Sequence, residues 1–440
     1  MDKELTRLAE TAVQYALGKG AEQVAVSVSQ ARFVELKRRE RRTETLQAST
    51  TRGLRLSLYA DGCFTSNGTS VLEKEALENF IDESLTMTKL LAPDHYRGLA
   101  DPRLYGALKH PDLDLHDQEY ERLTMDEIGE RVAAAEEASL LASKDVISAT
   151  ASFSSQESES IQLHSNGFLG NRKSTGFYLG SSVSVKDEVQ GRRPEDYYSS
   201  SARHLEDLPA AASIGAEAAR RAMGRIGAQK VASQTTTLVV ENRAVSKLLG
   251  SLFSPLGGAA LQQKRSCFEG ALGQRIGSDL LHITDCPLIP RALGSRSYDG
   301  DGLPQHERPL FSEGFLQNYF IDIYYGRKLN MSPTGGGTSN VIMRPGDKSL
   351  DELIGAVETG ILVSGFLGGN ANPATGDFSF GISGFQIVDG KLAQPISEMN
   401  IADNQRRLWH RLVGVGNDPY AYSAWRLPSV VFEGVSVAGV

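Results

Sequence analysis

Acidic and polar residues framed by glycines recur in the second half of the chain. Four such loops lie at residues 298–302, 334–340, 375–379 and 415–418. Each could bend a hairpin so that a carboxylate and free backbone amides face one cleft, as a hydrolase or a substrate-binding protein would need. Each is also an ordinary β-turn sequence, because Asp-Gly and Asn-Asp favour turns. The candidate cleft residues are Asp299, Asp301, Gly302, Gly336, Asp377, Ser379 and Asp418.

A strand that leads into a helix is where zinc peptidases often hold an HExxH-type motif. Residues 237–241 read as a buried strand, and Asn242 is predicted to cap a helix whose apolar face includes Val245 and Phe253. In that motif the histidines bind zinc and the glutamate is the general base. Residues 245–258 contain no His, Glu, Asp or Cys. We therefore assign no metal ligand to this helix.

Other catalytic and phosphate-binding motifs are incomplete. His306 and Glu307 form the single His-Glu pair, but no second histidine completes a zinc motif. Residues 334–338 resemble an anion nest without the GxxxxGK[ST] spacing, which favours a backbone turn near a cleft. No G-x-S-x-G elbow occurs, and the nearest approach, around Ser383, has the wrong register.

Glycines and alternating aromatic residues are combined in residues 364–391. Phe378 and Phe380 are predicted to pack on one face of a strand. The exposed backbone edges of glycine-lined strands could then receive an extended peptide by strand addition. Substitution of Asp377 or Gly381 is therefore expected to weaken peptide processing.

Length, charge and cysteine usage restrict the class of protein. A chain of 440 residues is expected to form two or more domains. Its net charge of −8 and pI near 5.6 oppose DNA binding through phosphate contacts. Cys63, Cys267 and Cys286 form neither a disulfide framework nor a CxxC motif. The charged N-terminus and the lack of a long apolar run predict a cytoplasmic protein without a membrane anchor.

The first part of the chain alternates helical and strand patterns. Residues 3–17 and 73–90 have helical periodicity, and residues 23–29, 33–37 and 53–62 alternate as strands of an antiparallel meander. This order predicts an α+β unit.

Charged and turn-forming residues mark further elements. The basic run at residues 37–42 is predicted to be a solvated edge strand. A helix at residues 125–143 precedes a long hairpin whose turn contains Asn166 and Gly167. A further helix, residues 210–226, carries Arg220, Arg221 and Arg225 toward the negative end of its dipole.

Short strands and glycine-rich hairpins dominate after residue 230. We therefore predict an N-terminal α+β domain over residues 1–230, with a connecting segment near residues 93–115. A β-rich domain with few helices follows over residues 231–440. The predicted fold class is α+β.

Several motifs in order resemble the TldD/PmbA family, whose name refers to modulation of DNA gyrase and which is grouped with zinc metallopeptidases. The resemblance covers nearly the whole chain. The motifs that carry it are residues 53–62, 111–115, 298–302, 311–319, 325–329, 375–379, 384–385 and 413–418.

This resemblance implies a two-subunit protease. A TldD-type chain carries HExxxH and a downstream cysteine ligand, and a TldE (PmbA) chain lacks them. Residues 245–258 hold no ligand and no cysteine follows Cys286, so this chain resembles the TldE/PmbA subunit. The implied role is a noncatalytic subunit that binds no cofactor itself. Its partner would be a TldD-type chain with zinc, and its substrates peptides or unfolded proteins.

Two alternatives stay open. The chain could be an independent hydrolase that uses Asp299, Asp301 and Asp377. It could also be a module that binds gyrase or DNA, although the acidic balance speaks against nucleic acid. A homodimer and a heterodimer are both compatible with the sequence.

Overall fold

Long antiparallel strands and two pairs of helices make up the N-terminal region. The computed structural model describes residues 2–106 and 111–440. The elements of this region are α1 (Lys3–Gly18), β1 (Gln23–Arg39), β2 (Arg42–Ala60), β3 (Cys63–Thr69), α2 (Lys74–Lys89), α3 (Met125–Leu141), β4 (Val146–His164), β5 (Leu169–Val185), β6 (Glu195–Ala202) and α4 (Ala211–Met223). The predicted helices and the Asn-Gly hairpin are confirmed.

The six strands form one antiparallel sheet in the order β3-β2-β1-β4-β5-β6. Helices α1 and α2 bury one part of it, where Leu5 and Ile81 pack with Leu56. Helices α3 and α4 pack on another part, over Phe153 and Phe177. Burial of these apolar side chains is the main force that holds the helices on the sheet.

A close approach of α3 and α4 sets the position of α4. A Cβ on Gly215 would lie 1.9 Å from the carbonyl oxygen of Ala135, so only glycine fits there. Ser139 Oγ lies 2.9 Å from the Ala135 oxygen and 3.0 Å from the Gly215 oxygen. This packing places the last turn of α4, with Arg221, against the C-terminal region.

Two sequence predictions in this sheet are wrong. Residues 23–29 and 33–37 belong to the single strand β1, which lies between β2 and β4 and is not an edge strand. The basic run at residues 37–42 crosses a tight turn, since Glu40 and Arg41 have φ of 51° and 59°. Arg38 and Arg41 pair there with Glu136 and Glu137 of α3, at 2.6 and 2.7 Å. Charge alternation alone does not distinguish this turn from an edge strand.

The connecting segment packs on the C-terminal region. Arg327 donates hydrogen bonds to the carbonyl oxygens of Tyr96, Gly98 and Leu99 at 3.1, 2.9 and 2.6 Å. A short 3-10 helix, Pro102–Tyr105, follows. Residues 107–110 of the predicted segment lie outside the described residues.

Short strands and short helices dominate the C-terminal region, which confirms the predicted α+β class with a β-rich second part. Helix α4 ends at Met223 and the next strand begins at Gln234, on either side of the predicted boundary. The elements are β7 (Gln234–Val240), α5 (Asn242–Phe253), α6 (Gly258–Gln262), β8 (Ile283–Asp285), β9 (Arg308–Ser312), β10 (Phe315–Leu316), α7 (Ile323–Leu329), β11 (Val341–Met343), α8 (Leu350–Gly355), β12 (Thr359–Ala371), β13 (Asp377–Val388), β14 (Lys391–Asn404), α9 (Gln405–Leu408), β15 (Leu412–Val415), β16 (Trp425–Arg426) and β17 (Val430–Ala438).

These strands form a six-stranded sheet, β14-β13-β12-β7-β17-β15, and a five-stranded sheet, β10-β9-β8-β11-β16. The larger sheet curls until β14 also pairs with β17, at Asn400 and Ile401. The apolar face of α5 and the buried Trp409 fill the core between the elements. Within the described ranges, no helix is long and apolar enough to cross a membrane.

Candidate functional site

Three of the predicted cleft residues, Asp299, Asp301 and Gly336, line one cavity of about 430 Å³ between the N-terminal and C-terminal regions. We call it the interdomain cavity. Gly302 lies beside it with a φ of 82°, where a Cβ would be 2.8 Å from the ring of Phe168. The lining consists of Gln162, Arg172, Arg296, Tyr298, Asp299, Gly300, Asp301, Asp322, Gly336 and Gly337. The structure therefore brings four of the predicted cleft residues to one place.

Backbone amides hold the two aspartates of the interdomain cavity. Asp299 Oδ1 accepts hydrogen bonds from the N–H groups of Asp301 and Leu303 at 3.0 and 2.9 Å. Asp301 Oδ2 accepts one from the N–H of Ile323 at 3.1 Å. Burial raises the pKa of Asp299, and it raises the pKa of Asp301 to about 6. The nearby carboxylates of Asp299 and Asp322 add to this effect on Asp301, which therefore takes up a proton in weakly acidic solution.

Arg172 and Arg296 bring positive charge to the same cavity. Arg172 Nη2 donates to the carbonyl oxygen of Tyr298 at 3.1 Å, and its guanidinium lies 5.0 Å from the centre of that ring. The Nε of Arg296 is buried without a hydrogen-bond partner. Burial lowers the pKa of Arg296, because no solvent shell compensates its charge fully.

A buried ion pair shapes the wall formed by residues 334–337. Asp285 and Arg308 lie 3.1 Å apart, with side chains 1% and 7% exposed. Arg308 also donates to the carbonyl oxygens of Thr334, Gly335 and Gly337. The carbonyl oxygens of this loop therefore bind the Arg308 guanidinium. This arrangement favours the predicted turn over a phosphate nest.

Asp377 and Ser379 lie on β13, outside the interdomain cavity. Asp377 Oδ1 accepts from Asn404 Nδ2 at 2.8 Å, and Ser379 Oγ accepts from Asn400 Nδ2 at 2.9 Å. Hydrogen bonding to Asn404 is the main cause of the lowered pKa of Asp377. Both side chains make cross-strand contacts with β14.

Asp418 anchors the start of α5. Its carboxylate oxygens accept from the N–H and Oγ of Ser429 at 2.9 and 2.7 Å, and Ser429 Oγ accepts from the N–H of Asn242 at 3.0 Å. The predicted cap at Asn242 is wrong, since Glu241 is the N-cap residue and Asn242 begins the helix. The Asn242 side chain instead donates to the carbonyl oxygen of Asp418 at 2.7 Å.

A second cleft, of about 620 Å³, opens beside the exposed face of α5. We call it the helix cleft. Strands β6 and β12, the end of α4 and the first turns of α5 form it. Its lining is Ser182, Glu195, Asp196, Tyr197, Arg221, Arg225, Arg243, Ala244, Ser246, Lys247, Ser364, Gly365, Phe366 and Leu367.

Strand β12 presents a free edge to the helix cleft. It pairs with β7 only from Gly360 to Val363, whereas its pairing with β13 continues to Ala371. Residues 364–371 thus have no second partner strand in the part of the chain that the structure describes. Phe378 and Phe380 of the neighbouring strand β13 are buried, with ring centres 5.0 Å apart. They pack together on one face of that strand, as predicted.

Arg221 joins the two regions at the bottom of the helix cleft. Its Nη1 and Nη2 donate to the carboxylate of Glu241 at 2.6 and 3.0 Å, and Nη2 lies 3.2 Å from the carbonyl oxygen of Ser364. Burial by itself lowers the pKa of Arg221, but the Glu241 carboxylate outweighs burial and the pKa is raised.

The exposed face of α5 does not fit a zinc site. It presents Ser246, Lys247, Gly250 and Ser251, none of which is an ordinary zinc ligand. The Lys247 ammonium lies 4.9 Å from the centre of the Phe380 ring, where its charge would repel a cation. Across residues 2–106 and 111–440, no group of three His, Cys, Asp or Glu side chains could hold a metal ion.

The sequence-family models of two metallopeptidase domains match most of this chain. Residues 233–439 match the PmbA/TldA metallopeptidase C-terminal domain, and residues 119–226 match the central domain. A crystal structure from Bacteroides thetaiotaomicron, described as a "putative modulator of DNA gyrase", is 40% identical. The alignment covers 100% of both chains, with a TM-score of 0.97. The chain belongs to the PmbA/TldD family.

Other members of the PmbA/TldD family agree in length and fold. The metalloprotease PmbA of Escherichia coli O157:H7 is 29% identical over 99% of this chain and 96% of its own length. The crystal structure of TldE from Thermococcus kodakarensis is 19% identical and covers 98% of this chain and 100% of its own, with a TM-score of 0.87. At that identity the match shows the fold alone.

Sequence reasoning assigned no binding role to the arginines of either cavity in this PmbA/TldD family member, although it named Arg221 and Arg225 on their helix. A usable signal existed for Arg172. The predicted Asn-Gly turn sets Gln162 opposite Gly170 in the β4–β5 register, and alternation then puts Gln162 and Arg172 on one face of the hairpin. No local pattern pointed to Arg296 or Arg243.

Proposed function

We propose that this chain is a noncatalytic PmbA/TldE-like subunit of a cytoplasmic metalloprotease complex that processes peptides or unfolded proteins. In this proposal a TldD-type partner holds the zinc. The observation that carries it is the free edge of β12 beside a face of α5 that offers no metal ligand. Membership in a metallopeptidase family supports the peptide substrate class.

The helix cleft suits an extended peptide. Backbone groups of residues 364–371 would pair with the peptide as an added strand, which requires a substrate without stable structure. Phe366 and the half-exposed Leu367 offer apolar contacts, and Arg243 and Lys247 offer positive charge. Folded substrates would not reach this edge, because an added strand must lie flat along it.

We expect the purified chain to contain no stoichiometric zinc and to show no chelator-sensitive peptidase activity. The reason is the donor set of α5, which lacks His, Cys, Asp and Glu on its exposed face. The test is co-purification with a TldD-type chain, followed by zinc quantification and a peptidase assay of each component and of the pair. Stoichiometric zinc in this chain, or failure of the two chains to associate, would refute the proposal.

The variant Gly381→Val is expected to slow peptide cleavage by the reconstituted pair. A Cβ on Gly381 would lie 3.3 Å from Leu367 Cβ, so valine pushes the side of β12 that borders the helix cleft. Overpacking of about 1–3 kcal/mol would reduce the cleavage rate by roughly fivefold or more if it acts on the peptide-bound state. The measurement is the specificity constant of the pair for an unfolded substrate.

Gly176→Val is the matched control for this variant, because Gly176 is also a strand glycine and its Cβ would meet no atom within 4 Å. It should leave cleavage unchanged. Asp377→Ala should have a smaller effect than Gly381→Val, since Asp377 contacts Asn404 and does not line the helix cleft. Equal rates for the wild type and Gly381→Val would argue against strand addition at this edge.

The alternative of an independent hydrolase receives less support. It requires Asp377 to act with Asp299 and Asp301, yet Asp377 lies on β13 and does not line the interdomain cavity. A gyrase- or DNA-binding role ranks last, because the net charge of −8 opposes direct DNA contact.

A further inference from the structure

The interdomain cavity contains an arginine whose side chain has no hydrogen-bond partner among the described residues. The Arg296 guanidinium donates no hydrogen bond to the described residues, and no carboxylate among them lies within 4.0 Å of it. Its Nε–H is buried, and a buried donor is costly to leave unsatisfied. Arg172 lines the same cavity with donors to spare, because only its Nη2 donates a hydrogen bond to a residue that the structure describes. Together they offer a paired contact for a carboxylate or another oxyanion.

Carboxylate oxygens in the same cavity are also unused. One oxygen each of Asp299, Asp301 and Asp322 accepts backbone N–H groups at 2.7–3.1 Å. The second oxygen of each accepts no hydrogen bond from the residues that the structure describes. Such acceptors suit an ammonium group, which has three N–H donors.

The size of the cavity limits what can fill it. Its volume of about 430 Å³ is close to that of a small-ligand site. Gly300, Gly336 and Gly337 line it without side chains, and Gln162 closes one side with a 2.8 Å hydrogen bond to the Gly300 carbonyl oxygen. The space and the two kinds of charge suit a compact molecule that carries both an anion and a cation.

We propose that the interdomain cavity binds a small zwitterion of the amino-acid class, a free amino acid or a dipeptide. Arg172 and Arg296 bind its carboxylate, and Asp299 and Asp301 bind its ammonium group. The cavity and the helix cleft share no lining residue. Binding at this site is therefore independent of the proposed function and does not require a TldD-type partner.

The test is isothermal titration calorimetry on the full chain with alanyl-alanine and with glycine. At least one of the two should bind saturably in the millimolar range or below. Acetate, inorganic phosphate and methylammonium each carry charge of one sign only, so each should bind about tenfold more weakly or worse. Binding of acetate or phosphate as tight as that of the zwitterion would overturn the proposal, as would the absence of saturable heat with both zwitterions.

Two variants and one control connect the binding to this cavity. Arg296→Gln should weaken zwitterion binding by about tenfold or more, since it removes the paired carboxylate contact. Arg265→Gln, at an exposed arginine outside the cavity, should change nothing. Asp299→Asn retains an oxygen that accepts from the backbone amides of Asp301 and Leu303. It should weaken the binding of the zwitterion but not the binding of acetate. Wild-type affinity in Arg296→Gln would place the binding elsewhere and overturn the proposal.

Discussion

Replacing Arg221 with methionine is expected to destabilise the C-terminal region by about 3–5 kcal/mol. The Arg221 and Glu241 side chains are 7% and 14% exposed, so loss of the guanidinium leaves a largely buried carboxylate without its counterion. The Glu241 oxygens accept hydrogen bonds from Arg221 at 2.6 and 3.0 Å and from no other described residue. Methionine fills a similar volume, which separates the electrostatic loss from a packing loss.

Tryptophan fluorescence during urea unfolding can measure this effect in the C-terminal region. Both tryptophans of the chain, Trp409 and Trp425, belong to the C-terminal region, so their emission follows the part that contains Glu241. Arg220→Met is the matched control. Arg220 lies one residue earlier on α4, is 68% exposed, and binds Glu217. An exposed pair of this kind contributes about 0–1 kcal/mol.

A double variant separates the cost of a buried, unpaired Glu241 carboxylate from the loss of the Arg221–Glu241 attraction itself. Arg221→Met combined with Glu241→Leu removes both charges, and this double variant should recover much of the stability that Arg221→Met loses. The helix cleft should nonetheless lose function, because Arg221 also contacts the Ser364 carbonyl oxygen at the start of the free edge of β12. If Arg221→Met costs no more than Arg220→Met, the two regions are held together by other contacts.

Local patterns were sufficient for the helices and for the hairpin of the N-terminal sheet. The apolar repeat at Leu5, Ala9, Ala12 and Ala16 predicts α1, and each of these residues is fully buried. Local patterns failed where a distant residue decides the conformation. The turn at Glu40 depends on Glu136, whose carboxylate accepts from a backbone N–H 95 residues earlier in the chain.

The same limit applies to the sites. Tyr298 to Gly302 was predicted to line a cleft because its glycines and aspartates are adjacent in sequence. The hydrogen bond on one side of the cavity joins Gln162 and Gly300, which are 138 residues apart. Neither Arg296 nor Gln162 has a local motif, so their meeting follows only from the packing of the two regions.

Replacing Asp285 with asparagine is expected to cost about 3–5 kcal/mol of stability in the C-terminal region. Asp285 is 1% exposed and pairs with Arg308, which binds the loop at residues 334–337. Its Oδ1 accepts from the N–H and Oγ of Ser339, both at 2.6 Å, and its Oδ2 lies 3.1 Å from Arg308 Nη2. Asparagine can retain the Ser339 contacts, but its amide nitrogen then faces the guanidinium, donor against donor.

The loss should loosen the loop at residues 334–337 more than the rest of the fold. Arg308 holds three carbonyl oxygens of this loop and is itself held by Asp285. Limited proteolysis should therefore cut Asp285→Asn near the loop faster than the wild type. Asp279→Asn, at an exposed aspartate, is the control and should be cut at the wild-type rate.

Adding Arg308→Met to Asp285→Asn gives the decisive comparison. If the unpaired buried cation is the cause, the double variant regains part of the stability because no charge is left buried. It does not regain the loop contacts, since methionine has no donor for the carbonyl oxygens of Thr334, Gly335 and Gly337. Recovery of stability without recovery of protease resistance would show that the ion pair and the cavity wall depend on the same arginine for different reasons. If the double variant is less stable than Asp285→Asn alone, the carbonyl contacts of Arg308 stabilise the fold more than the Asp285 pair does.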